Sequence, residues 1–167
     1  MKLRLPVGVN VAVLIVVTTA FYTYVGQLVP QAEIQPPEEV IIRKETTTEQ
    51  LIAIGEKLAH GKGLCLTCHT IGQSGALRYP DLSGIGSRAG QRIEGLSDIE
   101  YLAQSLYQPD SYVVAGFNPG MPPIHKSPIG LTDDQILAVM AWLQSMGGTP
   151  TVTLQTTHAF RGGGDGS

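Results

Sequence analysis

The only two cysteines of the chain lie three residues apart, and a histidine follows the second one directly. They form the segment Cys65-Leu66-Thr67-Cys68-His69. Two cysteines cannot build a disulfide framework, whereas two thiols at this spacing can each form a thioether with one vinyl group of a haem. The histidine is then held beside the ring, where it can bind the iron. The pattern therefore predicts one covalently bound haem c, attached through Cys65 and Cys68, with His69 as an iron ligand.

Two other kinds of site use cysteines at this spacing. A thioredoxin-like redox motif needs a preceding strand in a βαβ unit, but helical patterns flank the cysteines and strand patterns are absent. A structural zinc site needs four ligands. The chain has two cysteines and four histidines, and His125 and His158 are expected in mobile segments. Haem attachment is the interpretation that these residues fit best.

A long apolar segment near the N-terminus predicts a membrane anchor over residues 1–29. Lys2 and Arg4 precede a run from Val7 to Val29 that contains no charged residue. As a helix the run would span about 35 Å, which is enough for a hydrocarbon core of ~30 Å. Positive charge before the run and none just after it predicts a single-pass anchor with its N-terminus in the cytoplasm. A cleaved signal peptide is the alternative, although the run is longer than the apolar core of a signal.

The rest of the chain divides into three parts. Prolines and charges over residues 30–46 predict a linker. Residues 47–148 carry the helical patterns and the cysteines, and they predict one globular domain. Residues 149–167 contain few large apolar side chains and end in glycines, so we expect an extended tail that is disordered unless a neighbouring protein orders it.

Three helices are predicted in the domain because apolar residues recur at helical spacing. The first begins at the threonines 46–48, where Glu49 or Gln50 can complete a capping box, and ends at Gly61. The second begins at the cap Ser97 and ends at Tyr107, and the third covers Asp133 to Ser145 with Thr132 as its cap and Gln135 completing the box. The intervening residues 70–95 and 110–130 are predicted to be loops.

A haem iron bound by His69 on one face needs a ligand on the other. The candidates are the remaining methionines and histidines of the domain and tail: Met121, Met140, Met146, His60, His125 and His158. Met121 is favoured because the prolines around it stiffen its loop and Gly120 allows the backbone to approach the ring. Met140 falls on the apolar face of the third helix, where methionine usually fills the core.

Residues 48–147 resemble the class I cytochrome c family. The resemblance lies in motifs that occur in the family's order: Gly55-Glu56-Lys57-Leu58 in the first helix, the cysteine segment, Pro80-Asp81-Leu82 followed by Gly84 and Gly86, Met121-Pro122-Pro123, and Ala141-Trp142-Leu143 in the last helix. It implies an all-α domain of about three to four helices around one haem. One departure is Ala59, where the family usually has an aromatic residue at the helix crossing, and Trp142 is expected to fill that space.

The resemblance also implies roles for individual residues. The carbonyl of Pro80 accepts the Nδ1 hydrogen of His69. Arg88 lies near a haem propionate, and Met121 is the second iron ligand. A haem with histidine and methionine ligands has no open iron position, so it suits electron transfer better than bond-making chemistry.

The domain and anchor together resemble cytochrome modules of respiratory complexes, such as the membrane-anchored monohaem subunit of bacterial alternative complex III. We therefore expect an electron-carrying subunit on the periplasmic face of a bacterial cytoplasmic membrane. Its expected partners are other subunits of that complex and a soluble or membrane-bound redox protein as electron acceptor. A net charge of −3 argues against nucleic acid as a partner. A free-standing tethered shuttle and a haem peroxidase or gas sensor are the alternatives.

Overall fold

The computed structural model describes residues 6–28 and 40–162, which form α-helices and 3₁₀ turns and contain no β-strand. The helices are α1 Val7–Leu28, α2 Thr48–His60, α3 Cys65–Cys68, α4 Ile85–Arg88, α5 Asp98–Tyr107 and α6 Asp133–Ser145; the 3₁₀ turns are Ala89–Gln91 and Pro109–Ser111. The predicted all-α class is confirmed. The flanking charges Lys2 and Arg4, most of the predicted linker and the last five residues of the tail lie outside the described residues.

Helix α1 forms a unit of its own. It covers 22 residues, none of its side chains is buried, and it contains no charged residue. At 1.5 Å per residue it is about 33 Å long, so its length and composition allow it to cross a membrane. The helix itself is as the sequence predicted, while its insertion in a membrane stays a prediction.

The caps of the three long helices of the domain are as predicted. Thr47 accepts from the N–H of Gln50 at 3.4 Å, and the Gln50 side chain accepts from the N–H of Thr47 at 2.9 Å. Thr132 and Gln135 form the same reciprocal pair at the start of α6. Ser97 accepts from the third N–H of α5. Each cap satisfies backbone donors that the first turn of a helix leaves without partners.

The core of the domain is the crossing of α2 over α6. A Cβ atom on Gly55 would lie 2.0 Å from the carbonyl oxygen of Ala138 and 2.9 Å from Cβ of Trp142. Only glycine therefore allows the two backbones to approach so closely. Trp142 itself is almost fully buried at this crossing, as the sequence analysis expected.

The segment predicted as one loop over residues 70–95 contains α4 and a 3₁₀ turn. Helix α4 has only four residues, and its position depends on the end of α6. The N–H of Gly86 donates to the carbonyl of Met146 at 2.9 Å, and a Cβ on Gly86 would lie 2.0 Å from the carbonyl oxygen of Gln144. Contacts with α6 stabilise this short helix, and four residues are too few to show an apolar repeat in the sequence. The loop predicted over 110–130 likewise begins within the turn Pro109–Ser111.

The expectation that the tail is disordered on its own is wrong for residues 149–162. Val152 is 0% exposed, and the side-chain oxygen of the buried Gln144 accepts from the backbone N–H groups of Thr151 and Val152 at 2.9 and 3.1 Å. His125 and His158, which were expected in mobile segments, both pack against the ring of Tyr107. Hydrogen bonds to one buried amide and a few ring contacts thus replace the large apolar surface that the tail lacks.

We predict that Gly55→Ala lowers the stability of the domain by about 1–3 kcal/mol or more, because the added methyl group would overlap backbone atoms of α6. Thermal unfolding of the haem-loaded protein measures the loss. Glu56→Ala, at the exposed next position of the same helix, is the matched control and should change the melting temperature little. Equal effects of the two substitutions would contradict the close crossing.

Candidate functional site

The cysteines occupy a single helical turn that follows directly on α2. The N–H of Gly63 donates to the carbonyl of Leu58 at 2.7 Å, and a Cβ at Gly63 would lie 2.8 Å from that oxygen, so glycine is required where the chain folds back. Leu64 then adopts a left-handed backbone with φ of 55°, which is rare for a residue with a side chain. These two residues turn the chain so that α3 begins at once with Cys65.

Both cysteines lie on α3, and they differ in exposure. Cys65 is partly buried, and burial raises the pKa of its thiol. Cys68 is exposed. His69 is the C-cap of α3, and its N–H donates to the carbonyl of Cys65 at 2.9 Å. The turn therefore carries the histidine and both thiols as one rigid unit.

The ring of His69 is oriented by a hydrogen bond at its inner nitrogen. Nδ1 lies 2.8 Å from the carbonyl oxygen of Pro80. Because a carbonyl oxygen can only accept, Nδ1 carries the hydrogen and Nε2 is the nitrogen left to bind a metal. This is the contact that the resemblance implied for Pro80, and such a contact sets both the tautomer and the direction of a ligating imidazole.

The loop that contains Pro80 is organised by the carboxylate of the next residue. Asp81 accepts from the hydroxyl of Thr70 at 2.7 Å and from the backbone N–H groups of Gly72, Gln73 and Ser83 at 3.0, 2.9 and 2.8 Å. The Thr70 hydroxyl, together with these backbone donors, holds the pKa of the Asp81 carboxyl well below its usual range. One ionised side chain thus fixes both ends of the loop from residue 70 to residue 83.

His69 and Met121 line the same cavity, although they are far apart in sequence. The space between the atoms of the cavity wall is about 860 Å³, a figure that includes solvent at the open mouth. Most of its wall is apolar or aromatic, with Leu82, Ile85 and Leu102 among the contributors, while Pro80 and Arg88 also line it. Met140, an alternative iron ligand, is fully buried in the core as expected for a packing residue.

The family model for cytochrome c matches residues 52–147, which is more than half of the chain. The chain belongs to the cytochrome c family. The matched residues include the cysteines, His69, the loop around Pro80 and Met121. No curated protein sequence matches this chain. Membership implies a covalently bound haem c and a function in electron transfer.

The donors of this cytochrome fit a haem. Two thiols at the right spacing precede an oriented imidazole, and a thioether lies on the wall of the same apolar cavity. Arg92, which sequence reasoning missed, also lines the cavity, and its Nε is buried with no partner among the described residues. A buried cationic donor without a partner is costly unless an anion meets it, and haem carries two carboxylates.

Arg88 itself binds the backbone of the loop around Asp81. Its guanidinium donates to the carbonyl of Asp81 at 2.6 Å and to the carbonyl of Ser83. Its predicted position near a propionate stays a prediction. Arg92 follows four residues later, after a 3₁₀ turn, and residues at this spacing often lie on the same side of the chain. From this spacing, Arg92 could have been predicted as a second arginine near the cavity, alongside Arg88.

We predict that Asp81→Asn lowers the melting temperature of this cytochrome by several degrees at pH 7, because an amide offers one acceptor oxygen where the carboxylate uses two. The pKa of Asp81 is lowered in the folded state, so its contribution is complete above the unfolded pKa of about 4 and is lost as the pH falls below that value. The difference in melting temperature between wild type and variant should therefore shrink between about pH 5 and pH 3.

The exposed carboxylate of Glu94 provides the control for this measurement. Glu94→Gln should leave the melting temperature almost unchanged over the same range. A difference between wild type and Asp81→Asn that does not vary with pH would contradict the stabilising role of the ionised carboxylate.

Proposed function

We propose that this cytochrome is a membrane-anchored, monohaem electron carrier in which His69 and Met121 are the two axial ligands of the iron. The observation that carries the proposal is that Met121 lines the same cavity as the imidazole that Pro80 orients. Cys65 and Cys68 would hold the haem through thioether bonds. When bound, the haem supplies a one-electron redox couple. With His69 and Met121 both bound to the iron, no iron position would be open for a substrate or for oxygen.

The residues around the site would favour the reduced state of the iron and limit the movement of its ligands when an electron is transferred. The soft thioether of Met121 would favour ferrous iron and so raise the potential. The apolar wall, to which Leu102 and Leu106 contribute, excludes water and disfavours the extra charge of the oxidised state. His69 is fixed by Pro80 and by the backbone of α3, so it need not move when the charge changes. These properties suit rapid electron exchange with another redox protein.

The proposed setting is the periplasmic face of a bacterial cytoplasmic membrane, with the cytochrome as a subunit of a larger oxidoreductase. Helix α1 has the length of a membrane span, and its side chains Asn10, Thr18, Thr19 and Thr23 are polar groups that prefer neighbouring helices to lipid. A quinol-oxidising assembly of the alternative complex III type is one such complex. A soluble or membrane-bound redox protein would then accept the electron. The tail lends this proposal no support, because residues 149–162 pack on their own domain.

We predict that Met121→Ala removes the weak long-wavelength absorption band that a sulfur–iron bond gives to the oxidised protein. The reduced variant should bind carbon monoxide readily, because one axial position is open, whereas the wild type should bind it poorly. Met121→His should lower the midpoint potential strongly, since axial ligands set much of a range of about 0.8 V in haem proteins.

Met140→Ala is the matched control, because it removes a methionine from the core and leaves the cavity wall intact. It should lower stability and keep the absorption band. Ready binding of carbon monoxide by the wild type would instead favour a peroxidase or a gas sensor.

We predict that the cytochrome absorbance of native membranes dissolved in mild detergent migrates in size-exclusion chromatography with other polypeptides, and that removal of residues 1–29 releases a soluble cytochrome. The first result follows from polar groups on α1 that need helical partners. Migration of the full-length cytochrome alone would identify a free-standing tethered shuttle.

A further inference from the structure

The segment that carries Met121 meets the C-terminal residues at one side chain, Tyr107. We call residues 119–131 the methionine segment and residues 149–162 the C-terminal segment. Tyr107 is the last residue of α5 and is 6% exposed. Its ring lies 4.9 Å from that of His125 in the methionine segment and 5.9 Å from that of Phe160 in the C-terminal segment, and both pairs are stacked.

The methionine segment depends on the end of α5 for its position. The N–H of Ile124 donates to the carbonyl of Leu106 at 3.1 Å, and Ile124 is 2% exposed. His125 follows and stacks on Tyr107. Only Pro122 and Pro123 separate Met121 from this attachment, and prolines transmit position because their φ is fixed. The place of Met121 is therefore set by Leu106 and Tyr107.

The C-terminal segment is fixed against Tyr107 by hydrogen bonds to the first two residues of α6, Asp133 and Asp134. Asp133, the first residue of α6, accepts both the Tyr107 hydroxyl at 2.6 Å and the N–H of Gly162 at 3.1 Å. The guanidinium of Arg161 donates to the carbonyls of Leu154 and Thr156 and to the carboxylate of Asp134. Phe160 directly precedes Arg161 and Gly162, so the hydrogen bonds of these two residues hold its ring where it meets Tyr107.

We propose that the C-terminal segment positions the iron ligand Met121, acting through Phe160, Tyr107 and His125; the inference rests on the proposed role of Met121. Phe160 is a positioning residue, because it is not among the residues that line the cavity and its ring meets those of Tyr107 and His158. Loss of the Phe160 ring should allow Tyr107 and His125 to move more freely. Met121 should therefore dissociate from the iron more often. A ligand that competes with Met121 for the iron would then bind more tightly.

The test is the binding of carbon monoxide to the reduced, haem-loaded full-length protein. Phe160→Ala should tighten the apparent affinity by about two- to tenfold, which corresponds to the usual strength of one aromatic pair, and should weaken the sulfur–iron absorption band. Phe160→Tyr keeps the ring and should restore the behaviour of the wild type. Arg161→Ala, a second variant with a partly exposed side chain, should act in the same direction.

Ile52→Ala serves as the matched control, because Ile52 packs against the core from α2 and is remote in sequence from each contact in the proposed series. It should lower the melting temperature and leave carbon monoxide binding unchanged. If Phe160→Ala lowers the melting temperature but leaves carbon monoxide binding unchanged, the segment is merely structural and the inference is overturned. If Met121→Ala also leaves binding unchanged, the ligand assignment itself has failed, so the two failures are distinguishable.

Discussion

The hydrogen bond from Nδ1 of His69 to the carbonyl of Pro80 is the interaction on which the site depends. Without it the imidazole on its one-turn helix could rotate about its side-chain bonds, and either nitrogen could face the cavity. The bond is useful only if Pro80 is fixed, and Asp81 provides that by binding both sides of the loop. Arg88 adds two further donors to backbone carbonyls of the same loop. A partly buried carboxylate with four hydrogen bonds thus fixes the loop that directs the proposed iron ligand His69.

Helix α6 connects this half of the site to the half that carries Met121. Its C-terminal end receives Gly86 of α4, which follows the loop of Pro80. Its N-terminal residue Asp133 binds Tyr107, whose neighbour Leu106 holds the methionine segment. The two proposed iron ligands therefore approach one cavity from elements that are packed on opposite ends of one helix. The close crossing at Gly55 ties α2, and with it the cysteine turn, to the same helix.

The features that were predictable from the sequence are those that depend on neighbouring residues. A cap such as Thr47 with Gln50, and the repeated apolar spacing that follows it, both lie within a short stretch of sequence. The three long helices could therefore be predicted from these patterns. The spacing of the cysteine segment reflects the chemistry of haem attachment, and the shared cavity of His69 and Met121 agrees with a resemblance in motif order. By contrast, α4 and the C-terminal segment depend on partners distant in sequence. The buried amide of Gln144 and the ring of Tyr107 stabilise the segment, and no window of sequence that contains only the tail could reveal them.

A contact as modest as one ring pair can matter for an axial ligand because two different equilibria are involved. Unfolding of a domain this size is opposed by a margin of about 5–15 kcal/mol, so the loss of ~1 kcal/mol leaves nearly every molecule folded. Release of one ligand by local opening of the methionine segment has a smaller margin than unfolding of the whole domain, since only that segment must move. The same loss of ~1 kcal/mol changes the population of the released state by a factor of about five. On the proposed ligation, a C-terminal segment that places only Val152 in the core can therefore change how often Met121 binds the iron.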